Sequence, residues 1–128
     1  MPLARLPKPP YYVVTFASQR TEGDHGYGAM ADEMVAMAAR QPGFLGVESA
    51  RGADGFGITN SFWTDEASIK AWKAEVDHLE AQRRGRADWY SAYAVRVARV
   101  ERAYGFQQSS APHPQPLPTR GRGGAKAG

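Results

Sequence analysis

The stretch from Phe44 to Trp63, FLGVESARGADGFGITNSFW, decides the fold. Two short runs of strand-like composition, Phe44–Arg51 and Phe56–Trp63, flank Gly52-Ala53-Asp54-Gly55, where glycine supplies the positive φ that a tight antiparallel connection requires. The spacing predicts a hairpin. Downstream, Thr64-Asp65-Glu66 reads as a helix start, a hydroxyl cap followed by two carboxylates in the positive end of the helix dipole. Ile69, Trp72, Val76 and Leu79 then recur at the spacing of a buried stripe, Glu66 and Lys70 lie one turn apart on the outer side, and the pattern fades near Gly85. Upstream, Tyr27, Met30, Met34, Met37 and Ala38 form a second helical stripe, stopped at Gln41-Pro42-Gly43 because proline cannot continue the hydrogen-bond ladder. The outermost elements are strands again. Tyr11–Ser18 is apolar on both faces, and Trp89–Tyr104 alternates through Tyr93, Val95 and Val97 before slipping to Val100, which predicts a bulge. Strand, helix, strand, strand, helix, strand is the order of an α+β, ferredoxin-like (split βαβ) domain, a four-stranded antiparallel sheet with two helices on one face. The other face has no cover within the chain, which predicts a homodimer joined through it.

Outward from this core the composition sets limits. At 128 residues there is room for one domain, expected over residues 10–106, with an N-terminal extension at 1–9. Residues 107–128 are rich in proline and glycine and hold one large aliphatic side chain, so they read as a disordered basic tail. The absence of cysteine removes disulfides, thiolate metal sites and a cysteine nucleophile. No apolar run is long enough for a membrane helix, and MPLARLPKPP lacks the apolar segment of a secretion signal, so a soluble, cytoplasmic protein without a membrane partner is expected. The net charge of +3 could suggest nucleic acid, but Arg5, Lys8, Arg120, Arg122 and Lys126 lie outside the folded region and leave it slightly acidic. No nucleic-acid partner is expected.

Few residues suggest chemistry. Trp63 and Trp72 are the residues to line a pocket for a flat aromatic ligand, although tryptophan on an apolar stripe also serves as core. Asn60, the chain's single asparagine, interrupts an apolar strand; its amide is either satisfied by its neighbours or offered to a ligand. His78 falls about 140° from the helix stripe at ~100° per residue, which places it on the surface unless the helix breaks after Trp72. No metal-ligand spacing, nucleophile triad or dinucleotide fingerprint is present.

The segments SQRTEGDHGYGAMADEM, QPGFLGVESARGADGFGIT, FWTDEASIKAWKAEVDHLEAQRRGR and WYSAYAVRVARVERAYGF resemble, in this order, the antibiotic biosynthesis monooxygenase family of dimeric α/β-barrel proteins. The resemblance runs from about Tyr11 to Phe106. It implies a cofactor-independent monooxygenase that oxidises an electron-rich, polycyclic aromatic small molecule with O2. On that reading Trp72, Trp63 and Phe16 are the apolar walls, His78 is the base, and Asn60 or Gln82 donates a hydrogen bond. The haem-degrading branch of the family is the alternative. Trp72 stands where that branch has its helical tryptophan, but its first-strand asparagine is missing, its haem-ligating histidine falls on Gln82, and His78 lies one turn earlier. A third reading is a dimer that binds a small molecule without catalysis.

Overall fold

The computed structural model describes residues 3–83 and 89–108. They form β1 (Tyr11–Arg20), α1 (Tyr27–Ala39), β2 (Phe44–Arg51), β3 (Phe56–Trp63), α2 (Glu66–Arg83) and β4 (Tyr90–Val100). The sheet order is β2-β3-β1-β4 and every neighbouring pair is antiparallel, the ferredoxin-like arrangement expected from the element order. The hairpin turns through Gly55 at φ +88°, a value only glycine adopts freely, and the Asp54 carboxylate accepts from the Phe56 N–H at 3.0 Å.

Three local expectations change. The cap of α2 is Asp65 rather than Thr64: its carboxylate accepts from the Ser68 N–H at 2.8 Å and from the Thr64 hydroxyl at 3.0 Å. The register shift involving β4 lies at Gln19/Arg20, opposite Ala92 and Tyr90, at the far end of the strand from Val100. Finally, β4 stops at Val100 instead of running to Tyr104, because Val100 pairs with Tyr11, the first residue of β1. Past that point β1 offers no further residue to pair with, and Tyr104 and Phe106 stand 70% and 81% exposed.

Alternation divides the sheet into two faces. Tyr12, Val14, Phe16 and Ser18 of β1 look toward the helices, where Val14 and Trp63 pack with Ala38 and Ile69. A second cluster of Met30, Met37, Leu79, Trp89 and Tyr90 fills the other end of the layer. Tyr11, Val13, Thr15 and Ala17 look outward, away from both helices. There the N-terminal residues form an arm: the Ala4 N–H donates to the Glu48 carboxylate at 3.0 Å, and a Cβ on Gly46 would come within 3.1 Å of Ala4 and 3.6 Å of Leu6. Phe62, opposite Gly46 in the register, is correspondingly buried. Residues 109–128, most of the expected tail, lie outside the described residues.

Candidate functional site

Two helices do not cover four strands. Both pack over the β2, β3 and β1 side of the sheet and reach β4 only at its first residue, Tyr90, leaving the rest of that strand open. Tyr93, Val95 and Val97 of β4 are in register with Ser18, Phe16 and Val14, so they project on the helix side, yet they are 40%, 48% and 50% exposed. Large apolar side chains do not stand open in a row on the packed side of a sheet without a reason. They form an apolar shelf whose inner wall is Phe16, with rings 5.4 Å from Tyr93 and 5.3 Å from Tyr90. Trp72 and Val76 of α2 pack against the same cluster.

At its inner end the shelf meets a polar group. Tyr90 is buried, and its ring lies edge-on to Tyr27 at 5.8 Å. Burial pushes the Tyr90 hydroxyl well above the usual tyrosine range, and the neighbouring Tyr27 raises it further. The Arg51 guanidinium donates to the Tyr27 hydroxyl at 3.3 Å, to the buried Ser18 hydroxyl at 2.9 Å, and to the Ser18 and Gly55 carbonyls. It fits because Gly57 has no side chain: a Cβ there would approach the guanidinium carbon to 2.8 Å. On the other side of Tyr27, the Arg20 guanidinium lies 3.9 Å from the ring centre and ties down the loop through the Thr21, Gly23 and Trp89 carbonyls. A protonated phenol thus stands at the end of an aromatic shelf, backed by a second phenol and two fixed cations.

The candidate residues read from sequence do not form one constellation. Phe16 and Trp72 are both on the helix side of the sheet. Trp63 is completely buried behind Trp72, with ring centres 5.2 Å apart and its indole N–H bonded to Ser61, so it supports the wall rather than facing a ligand. Trp72 itself donates to the Met34 carbonyl at 3.4 Å. Asn60 is on the opposite face, where its amide oxygen accepts from Thr15 at 2.8 Å. The reason is parity, since Asn60 lies three positions, an odd offset, before the inward Trp63 on an unbroken strand. His78 is exposed: α2 runs without interruption, so no phase change brings it inward, and it lines an open groove of about 400 Å³ with Met37, Ala74, Glu75 and Leu79. Gln82 lies in the last turn of α2 and its side chain is outside the described residues. Tyr27, Tyr90, Arg51 and Ser18 were not singled out by the sequence. The one available signal was Arg51, a charge at an inward position of β2.

Comparison with known proteins agrees with this architecture. The family model described as antibiotic biosynthesis monooxygenase matches residues 10–84. The uncharacterized protein YqjZ of Bacillus subtilis is 51% identical over 108 residues, covering 84% of this chain and 95% of its own length. Among solved structures, the protein SO0527 of Shewanella oneidensis superposes with a TM-score of 0.62 at 12% identity, covering 73% of this chain and 94% of that one. SnoaB of Streptomyces nogalater, a cofactor-independent oxygenase, superposes at 0.57 with 17% identity, covering 80% and 98%. At these identities the structural matches establish the fold alone. Among the described residues no helix is long and apolar enough to cross a membrane.

Proposed function

The chain belongs to the antibiotic biosynthesis monooxygenase family, and from that premise we propose that it oxidises an electron-rich, polycyclic aromatic molecule with O2 and without a cofactor. The observation that carries the reading is the uncovered strip Tyr93, Val95 and Val97 beside Phe16, ending at the Tyr90–Tyr27 hydroxyl pair. A flat ring system laid on this strip would bury apolar area that otherwise faces water. The four electrons that convert a ring methylene to a carbonyl come from the substrate itself. One oxygen atom of O2 enters the carbonyl and the other leaves as water with the two methylene hydrogens.

The protein then needs a dry surface, an orientation and a donor for the developing oxyanion. Phe16 and Trp72 are the walls, and Trp63 holds Trp72 from behind. Tyr90, which burial keeps protonated, is the donor, with Tyr27 and Arg51 polarising it. This assigns to Tyr90 the role that the resemblance gave to Asn60 or Gln82. His78 faces away from the shelf and is not used. Haem is the weaker reading, because the shelf offers no imidazole among the described residues.

Steady-state kinetics on anthrone-like substrates test the assignment. Tyr90→Phe is expected to lower kcat by about 10²-fold, the usual effect of losing one oxyanion donor. Trp72→Ala raises KM, and His78→Ala stays within about twofold of wild type. If Tyr90→Phe and Trp72→Ala both leave turnover within twofold, the shelf is not the site.

The same reading includes a homodimer through the outer sheet face. Its support is the apolar content of that face, which no helix among the described residues covers, together with the exposed Tyr104 and Phe106 at the end of the described chain.

A further inference from the structure

Removing a proton from a ring carbon needs an acceptor, and His78 is turned away from the shelf. The helix that carries His78 supplies another candidate. Trp72 and Val76 of α2 lie one turn apart, and both pack against the cluster that contains Tyr90. Glu80 stands one turn further along the same row, next to Leu79, which belongs to the buried part of that cluster. At ~100° per residue, Glu80 lies about 75° from the centre of the Trp72–Val76–Leu79 stripe and His78 about 125°. Glu80 is accordingly half-buried where His78 is exposed. The electrostatics agree. Besides burial and Tyr27, the Tyr90 hydroxyl feels Arg51, which favours its ionisation, and Glu80, which opposes it. A carboxylate from α2, phenols from α1 and β4, and a guanidinium from β2 therefore converge on the inner end of the shelf.

We infer that Glu80 is the base of the proposed oxidation and that it acts twice in each turnover. The inference rests on the oxygenase reading and adds a residue to it. A substrate laid on the Tyr93–Val95–Val97 strip presents a ring carbonyl to Tyr90 and the methylene of the same ring to Glu80. The carboxylate takes one methylene proton, and the C–H electron pair moves into the ring as an enolate whose oxygen accepts from Tyr90. The enolate passes one electron to O2, and the two radicals join in a carbon–oxygen bond. The proton on Glu80 then goes to the outer oxygen, giving a hydroperoxide. Regenerated, the carboxylate takes the second proton from the same carbon. That C–H pair becomes the second bond of the new carbonyl as the O–O bond breaks, and the departing hydroxide recovers the proton from Glu80 as water. One oxygen atom stays in the product, and the carboxylate ends as it began. The arrangement selects rings in which a methylene is made acidic by a carbonyl of the same ring.

Among the described residues, the charged and titratable groups around Glu80 are Tyr90 of β4, Tyr27 of α1, Arg51 of β2 and, one turn back on α2, Asp77, which pairs with Lys73 at 2.7 Å. Asp77 titrates in the same acidic range but lies about 135° from the stripe at ~100° per residue, which makes Asp77→Asn a control.

Quinone formation from a hydroxyanthrone by the full-length chain under air tests the inference. Glu80→Gln should lower kcat at least 10²-fold with KM within about threefold, the usual effect of losing a general base, and Glu80→Asp should recover part of the loss. Wild-type kcat should fall on acidification as the base is protonated; Glu80→Gln should lose that acidic limb and Asp77→Asn should keep it. Added acetate should restore turnover at least tenfold to Glu80→Ala and leave wild type unchanged. If Tyr90→Phe lowers turnover while Glu80→Gln stays within twofold of wild type, Glu80 is not the base and the shelf stands. A slow Glu80→Gln that keeps the acidic limb, with no acetate rescue of Glu80→Ala, also overturns the base and leaves Glu80 a structural neighbour of Tyr90. A wild type that forms no quinone, or Tyr90, Trp72 and Glu80 variants that all turn over like wild type, overturns both readings.

Discussion

Asp65 shows how much a single exposed side chain can settle. The Ser68 N–H first and the Thr64 hydroxyl second hold its carboxyl below the usual range. A lowered folded value means that the cap stabilises the fold above 3.8, the ordinary value, and that this contribution disappears as the pH falls through the folded one. Asp65→Ala should therefore lower the melting temperature by a few degrees at neutral pH, with a gap that closes on acidification; Asp65→Asn, which keeps an acceptor, should lose less. Tyr90 has the opposite sign. Its hydroxyl is raised by burial, so the unfolded chain ionises first, and stability declines as the pH passes 10.0. Melting curves of Tyr90→Phe should lack that alkaline component. At this scale the sequence was only partly legible. The helical phase placed His78 outside, as found, and the parity of Asn60 against Trp63 was readable but unused. The Tyr27–Tyr90 pair was not readable at all, because it joins the start of a helix to the start of the last strand.

Elements were easier to read because punctuation residues mark them. Gly55, the Pro42-Gly43 stop and the Asp65 cap separate segments whose periodicity changes from two to three-and-four, and the six elements follow in the expected order. What the punctuation could not give was an end set by a distant neighbour: β4 stops where β1 begins, although its sequence remains strand-like to Tyr104. The arm was hidden for a similar reason. Its role depends on Gly46, where the sheet leaves space for Ala4 and Leu6. Deleting residues 3–9 should uncover Phe62, lower the melting temperature and increase binding of a hydrophobic dye; a variant that melts like wild type would mean that the arm contributes no packing.

The whole molecule has two sheet faces with different purposes. One carries both helices and leaves an aromatic strip beside them, and the other carries the arm and the hydrogen-bonded Thr15–Asn60 pair. The central strand β1 belongs to both, and it is the first strand in the sequence. Its two neighbours, β3 and β4, come later, and Tyr11 has no partner on one side until Val100 exists. The β2–β3 hairpin is local and can form early, whereas the β1–β4 pairing closes the longest loop in the domain. During synthesis the Tyr11–Phe16 segment, apolar and rich in β-branched and aromatic residues, therefore waits with an open edge for nearly the full length of the domain. The time the ribosome takes to reach β4 is the interval in which this chain is most exposed to aggregation.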